Sequence, residues 1–417
     1  MSSARRSAGI VFLAALGIRL AGGWWLGHFA HPVAWEYETI ADNLLHGNGF
    51  LIHYLEIPYR AFTLPLYPVL CAAVYALTNH SHTALLVLQC FISALACLQV
   101  RAIGMLIFEK PSIALAGAWL VAFHPGLIHF ASRLHSLTLT VFLFLWVVQS
   151  WLNFIRIPTR PKAFLAGLSS GLALLTRGTF LLFFPVVMGG FLWKGRRQLK
   201  SWELIGVAGI TMGIVVAPWL VRNALLFHRF PVFLTTGGHS FWQGNNPNSS
   251  GSSLLSDGRG GLSAMPEGMV RQLAQLDESG QNQLFYREAC GFVRDHPFRA
   301  IGLFGKKFLS FWWFPRQVGQ RYPAGFTRWY QRYYALVGAL ALAGLWGCRR
   351  GGLTGPLLIL LLFPLCVSVH QSLYYVDGRH RWTVEPLLLL LAAKGALDLN
   401  GKMTGRARSS AVRAGHS

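Results

Sequence analysis

The sequence predicts an all-α polytopic membrane protein with about ten transmembrane helices, juxtamembrane helices beside them, and a mixed extracytoplasmic loop region. Three observations predict it. Only 12% of the 417 residues are charged while 53% are hydrophobic. Mean hydropathy is +0.43. Apolar runs of about 15 to 20 residues recur along the whole length, close to what a hydrocarbon core about 30 Å thick requires. Inside lipid every backbone N–H and C=O needs a partner within the chain, so such runs become helices. A soluble globular protein is excluded on these grounds.

Candidate spans fall at 8–28, 83–103, 112–130, 138–155, 163–176, 178–193, 203–221, 333–347, 355–372 and 383–398. The first follows Arg5 and Arg6, ends on Trp24 and Trp25, and has no small-residue cleavage site, so it reads as a retained span. A further apolar piece, 64–78, is short and contains Pro65 and Pro68. Laid in the interface as a juxtamembrane helix, it leaves Arg5 and Arg6 on the side of the later basic turns. Those turns carry Arg101 and Lys110; Arg156, Arg160 and Lys162; Lys194, Arg196, Arg197 and Lys200; and Arg349 and Arg350. This arrangement satisfies the positive-inside tendency and predicts both termini in the cytoplasm. The chain then divides into an N-terminal transmembrane module, 1–221, with its first external loop at 29–62; an extracytoplasmic loop region, 222–332; C-terminal transmembrane helices, 333–398; and a basic cytoplasmic tail, 399–417, read as disordered. The six cysteines are scattered and imply neither a disulfide framework nor a metal site.

Within the second loop region, 249–268 reads as a flexible loop and 273–295 as a helix burying Leu273, Leu276, Leu284, Ala289 and Phe292. The stretch 300–314, with Lys306 and Lys307 among Phe and Trp, reads as a second interfacial helix. No internal repeat or inverted symmetry is visible, which weighs against a secondary transporter.

The chemistry concentrates in the first loop, where Glu36, Glu38, Asp42 and Glu56 supply four of the chain's 15 acidic residues. The string from Trp35 to Leu45 places Tyr37, Ile40, Ala41 and Leu44 on one helical face, with Glu38 and Asp42 on an opposite, solvated face. Glu36 precedes the helix body and points elsewhere. Gly47-Asn48-Gly49-Phe50 then stops the helix. A carboxylate held just above the membrane accepts a proton from a hydroxyl or amine, and it gains basicity when a closed site sheds water. Glu36 is the candidate for such a base, the plainer alternative being a solvated amphipathic helix. Arg177, Arg222, Arg379 and Arg381 lie at the outer ends of spans, on the same face. A charge at the hydrocarbon edge is costly without a partner, and planar guanidinium groups suit phosphate oxygens. The plainer alternative is that each arginine snorkels to lipid headgroups. Arg19, inside the first span, is read as pairing within the bundle.

In order and spacing, the chain resembles the GT-C superfamily of integral-membrane glycosyltransferases, family 39 type, related to protein mannosyltransferases and lipid A aminoarabinose transferases. The signposts are Asn43-Leu44-Leu45 with Gly47, Gly49 and Phe50; Pro65-Leu66-Tyr67-Pro68; Leu174-Leu175-Thr176-Arg177; Pro218-Trp219-Leu220-Val221-Arg222-Asn223; Gly244-Asn245-Asn246-Pro247; and Arg379-His380-Arg381. The resemblance implies a sugar, hexosyl or pentosyl, carried on polyprenyl phosphate in the bacterial inner membrane. It implies inverting transfer on the extracytoplasmic face to a protein, lipid or glycan. Glu36 matches the family's first-loop base, often Asp. Arg177, Arg222, Arg379 and Arg381 are the donor-phosphate candidates, stabilising charge on the leaving oxygen. Tyr37, Tyr67, His135, Trp242, Asn245 and Asn246 are the substrate-binding candidates, with Trp242 and Phe241 stacking on a sugar face as 222–332 closes over the donor.

One departure stands out. Many relatives carry a second acidic residue after a Ser in the loop following the third span, and here Leu137 follows Ser136, with Arg133 and His135 nearby. This argues against a metal held between two acidic loops, so no cofactor is expected to be required. It also leaves open an altered or lost activity. The expected partners are the polyprenyl-phosphate-sugar donor, an extracytoplasmic acceptor and membrane lipid, with no nucleic acid. Two rivals are a transporter or flippase of a lipid-linked anion and an inactive lipid-binding scaffold.

Overall fold

The structure, a computed structural model, describes residues 3–34, 36–195, 199–228, 233–255, 259–314, 324–349 and 354–414. Trp35, Arg196, Arg197 and Arg350 lie outside the described residues. In chain order the helices are α1 Ser3–Trp25, α2 Glu36–Leu45, α3 Leu66–Thr78, α4 His82–Phe108, α5 Pro111–Ala122, α6 Pro125–Ala131, α7 Leu137–Arg156, α8 Arg160–Leu174 and α9 Phe183–Gly195. They continue as α10 Leu199–Phe227, α11 Gly237–Gly244, α12 Glu267–Leu273, α13 Glu278–Asp295, α14 Pro297–Trp312, α15 Ala324–Cys348, α16 Gly355–Leu373, α17 Gly378–Arg381 and α18 Glu385–Ala414. A two-stranded antiparallel hairpin, β1 Ile52–Tyr54 and β2 Ile57–Tyr59, follows α2.

This is an integral membrane protein. Among the described residues 5 helices, α1, α4, α7, α10 and α16, are long and apolar enough to cross a bilayer, and α5 with α6 makes a sixth if the bent pair is one span. The predicted spans 163–176, 178–193, 333–347 and 383–398 coincide with α8, α9, α15 and α18 but fall short of that standard. The 15 residues of α8 rise only about 23 Å. Charged residues interrupt α15 at Arg328 and Arg332, and α18 at Lys394 and Asp398. The α15–α18 pair is instead pressed together: a Cβ on Gly395 would strike the Leu340 carbonyl, and one on Gly344 the Leu391 carbonyl. Small residues at such crossings let two backbones approach closely. The piece at 64–78 is α3, whose 13 residues rise about 20 Å, too short for the hydrocarbon core.

The α5–α6 pair bends by 56°. Pro125 offers no N–H to the Val121 carbonyl, four residues back. The Val121 carbonyl still accepts from the His124 N–H at 3.3 Å, and Arg19, fully buried on α1, adds donors at the break: it reaches the Val121 carbonyl at 3.3 Å, the Ala122 carbonyl at 3.2 Å and Ser93 Oγ at 2.6 Å. The span arginine therefore does pair within the bundle. Arg19→Leu is expected to cost about 2 to 4 kcal/mol, from the lost bonds to Ala122 and Ser93 and a cavity together. Thermal unfolding in detergent measures this.

The outer region has its own apolar cluster of Trp242, Met269, Leu273, Leu284, Phe285 and Ala289, against which Leu55 at the hairpin tip packs. The two-residue turn holds Leu55 at φ 46° and Glu56 at φ 65°, a conformation that usually selects Asn-Gly. Burying Leu55 against this cluster offsets the strain, and leaves Glu56 exposed at the tip.

Four sequence expectations change here. The helix expected over 273–295 breaks between α12 and α13, because Asp277 caps α13 by accepting from the Gly280 N–H at 2.7 Å. The stretch 249–268 is not a free loop throughout: Ser250, Ser252 and Ser253 are buried, and residues 256–258 lie outside the described residues. The helix expected over 300–314 starts earlier, at Pro297, and buries Lys307. The Lys307 Nζ closes the C-terminal ends of α11 and α16, donating to the Gly244 carbonyl at 3.1 Å and the Leu373 carbonyl at 3.4 Å, where the helix dipoles favour a cation. Finally, α18 continues into the segment read as a disordered tail, which contains no proline to stop it.

Candidate functional site

Glu36 is the first residue of α2, half-buried at the helix N-terminus. Burial raises its pKa above the usual carboxylate range; its own backbone amide, the Arg379 charge and the Tyr37 hydroxyl pull partly the other way. Next to it the Tyr37 ring meets Tyr67 of α3 edge-on at 4.9 Å and His135 at 5.7 Å. Ser136 Oγ lies 3.0 Å from the Tyr37 hydroxyl. His135 is buried in the α6–α7 connection, where its Nδ1 accepts from the Leu137 N–H at 3.0 Å. Burial, reinforced by Arg379, Arg177 and Arg133, pushes the His135 pKa well below the ordinary value.

Arg177 follows α8, and its Nη2 donates to Gln371 Oε1 at 3.4 Å. Burial lowers its pKa, and so does the charge of Arg379. Arg379 sits on α17 with Asp377 Oδ2 at 3.6 Å. Asp377 in turn caps α17 and accepts from Ser253 Oγ at 2.9 Å and the Ser253 N–H at 3.2 Å. Five separate stretches of chain thus bring Glu36, Tyr37, Tyr67, His135, Arg177 and Arg379 together. The Arg177 and Arg379 charges oppose each other, Arg379 is felt at Glu36, and Arg177 is felt at Tyr37.

The other candidates lie elsewhere. Arg222 stacks over Trp219 at 4.8 Å and donates to the Arg60 carbonyl at 2.9 Å, fastening the first loop to α10. Arg381 is 1% exposed and paired through Nε with Glu385 Oε1 at 2.5 Å, while its Nη2 has no hydrogen-bond partner among the described residues. It lines a small cleft with Phe314, Phe326, Tyr330 and Trp382. Trp242 is 4% exposed, its ring against Phe285, so the sugar-stacking face expected of it is covered by the outer core. Asn245 donates to the carbonyls of Phe241 and Leu373 and accepts from Lys307, and Asn246 donates to the Trp242 carbonyl. Their amides tie backbone to backbone and are already engaged.

Sequence reasoning missed Gln371, Asp377 and Glu278. Asp377 carried a readable signal, since Asp before Gly-Arg-His is an N-cap residue. Glu278 carried none. Its carboxylate accepts from the amides of Arg60 and Ala61, each at 2.7 Å, and from Thr235, so that α13 grips the end of the hairpin. Glu278→Ala is expected to destabilise the protein by about 2 to 4 kcal/mol, because those buried donors lose their acceptor. A thermal melt of the detergent-solubilised variant checks it.

The overall fold is similar to that of the oligosaccharyltransferase AglB from the archaeon Archaeoglobus fulgidus, solved with an inhibitory peptide and a dolichol-phosphate. The TM-score is 0.57 at 12% identity, over 98% of this chain and 52% of that one. This is a GT-C fold. The chain spans about half the length of AglB. It is also similar to ArnT from Cupriavidus metallidurans bound to undecaprenyl phosphate, with a TM-score of 0.44 at 14% identity over 94% of this chain and 77% of that one. No protein-family model and no curated protein matches the sequence. Within the GT-C fold, the cluster around Glu36 is built from the loops and helix ends that join the bundle.

Proposed function

We propose that this protein is an inverting glycosyltransferase that moves a sugar from a polyprenyl-phosphate donor to an acceptor on the extracytoplasmic side of the inner membrane. Its termini lie in the cytoplasm. The observation that carries this reading is the half-buried Glu36 near Arg379, with Arg177 close to Arg379 and Tyr37, five chain segments converging in a GT-C fold. The AglB structure was solved with a dolichol-phosphate, which supports a lipid phosphate as the anion here.

The chemistry follows from the charges. The acceptor hydroxyl or amine gives its proton to Glu36 as its lone pair attacks the anomeric carbon from the face opposite the phosphate. The carbon–oxygen bond to phosphate breaks, and its electron pair stays on the leaving oxygen. That growing charge is what Arg177 and Arg379 stabilise, without reorganisation at the moment of transfer. Tyr37 and Tyr67 shape the wall beside Glu36. Arg381 orders the loop from α17 to α18, and Arg222 holds the first loop in place.

A flippase would use ionisable groups along a path through mid-membrane. Here the group buried in the first span, Arg19, is committed to carbonyls and a serine. The deciding experiment supplies purified protein in liposomes with polyprenyl-phosphate glycosides and candidate acceptors, and follows release of free polyprenyl phosphate by mass spectrometry. Release is the expected result. Movement of the intact glycoside between leaflets without release would favour the flippase reading, and neither would favour the scaffold.

A further inference from the structure

The other face of α2, expected to be solvated, is covered by the corner between α3 and α4. Glu38 is only 8% exposed. Its Oε1 accepts from the Tyr75 hydroxyl at 3.3 Å, touches His82 Nε2, and lies 3.9 Å from His80 Nε2. Its other oxygen, Oε2, is buried with no hydrogen-bond partner among the described residues. The ligand-type atoms of Glu38, His80 and His82 all lie within 4.8 Å of one another. The corner is made by Asn79 and His80, both at positive φ, 51° and 62°. The His80 ring is held stacked on Tyr75, with centroids 4.3 Å apart.

We propose that Glu38, His80 and His82 form a divalent transition-metal site, of the type that takes zinc, distinct from the Glu36 cluster. Two imidazoles and one carboxylate suit zinc, whereas calcium and magnesium prefer all-oxygen shells. The orientation of His80 fits a ligand. Its Nδ1 stands 3.3 Å from Asp42 Oδ1 without a formed hydrogen bond, and its Nε2 lies 3.9 Å from Glu38 Oε1; a metal on Nε2 would leave the proton on Nδ1 for Asp42, the carboxylate–histidine–metal arrangement. The buried, unpartnered Oε2 of Glu38 also gains a use, since a metal gives a carboxylate oxygen in that position the partner it lacks. The side chains of His80 and His82 are 42% and 35% exposed, which leaves an entry path and room for water as a fourth ligand. The metal staples α2 to the α3–α4 corner, and α2 carries Glu36 at its first turn. The site positions the helix that bears the base and takes no part in transfer itself.

The test uses the full-length protein in detergent, stripped with EDTA and then titrated with Zn²⁺ and, as a spectroscopic probe, Co²⁺. Expected are one zinc per chain by elemental analysis, Co²⁺ visible bands that Zn²⁺ displaces, and a Zn²⁺-dependent rise in melting temperature. Asp42→Asn should weaken binding about 10- to 100-fold with the stoichiometry kept. His80→Ala/His82→Ala should abolish all three signals, and His82→Gln, a milder change, should abolish the Co²⁺ bands in a protein that still elutes as a single species. Absence of stoichiometric zinc in the reloaded wild type overturns the proposal, and so does unchanged affinity in either histidine variant. Glu36→Gln should bind zinc normally. No readout depends on glycosyl transfer, so the metal site and the transferase reading stand or fall separately.

Discussion

Glu36→Gln is expected to slow glycosyl transfer by about 10²- to 10⁴-fold, the usual contribution of a positioned base, while polyprenyl phosphate stays bound. The amide keeps the size and one acceptor oxygen of the carboxylate but cannot take the acceptor's proton. Single-turnover transfer measured beside lipid retention separates the two effects, and a variant that turned over normally would remove Glu36 from the base role. The pH dependence has a definite sign. Burial first, against the opposing Arg379 charge, raises the Glu36 pKa above the ordinary carboxylate range. The rate therefore falls as pH drops through a value higher than that of an exposed glutamate. Because Arg379 holds that pKa down, Arg379→Ala should move the acid limb to still higher pH. Stability runs the other way: a carboxyl whose pKa is raised by folding favours the fold below its unfolded pKa, and loses that contribution as pH rises through the folded value. At neutral pH Glu36→Gln should therefore melt no lower than wild type.

Arg177→Ala/Arg379→Ala should strip the purified protein of co-purifying polyprenyl phosphate. A hydrogen bond to a charged group contributes about 1.5 to 3 kcal/mol, roughly a tenfold to hundredfold weakening for each arginine removed. Arg222→Ala is the informative control. Arg222 is engaged by the Arg60 carbonyl, Asn223 and the Trp219 ring, so its loss should loosen the first loop and lower the melting temperature while the lipid remains. Mass spectrometry of lipids extracted from gently purified proteins reads all three. Ordinary phospholipid alone in the wild type would make the arginines headgroup anchors, and polyprenyl phosphate retained by the Arg177/Arg379 double variant would place the donor elsewhere.

Some of this was legible in advance. Hydropathy placed the apolar helices, including the short α3, because a run's preference for lipid sums over its own residues. The buried positions Leu284, Ala289 and Phe292 followed from helical spacing within α13, while Leu273 is buried on α12 and Leu276, between the two helices, only partly. Helix spacing also separated Glu36 from Glu38 and Asp42. It could not show that His80 and His82 come back over that second face, because their approach depends on how α3 turns into α4. Trp242 carries the chemistry of a sugar platform and the shape of a core residue, and the sequence offers both readings equally. Packing against Phe285 decides for the core.

The sequence by itself determined a helical membrane protein and an acidic first loop, with arginines gathered at the ends of its spans. These are local or compositional properties, carried by each segment wherever it lies. Only the tertiary structure decided that Arg379 comes near Glu36 and Arg177 near Tyr37, while Arg381 is committed to Glu385 and Arg222 to the first loop. Four arginines at span ends look alike along the chain. What distinguishes them is which acceptors the packed helices leave within a few ångströms, and a buried guanidinium takes those acceptors because the membrane-facing interior offers no water in their place.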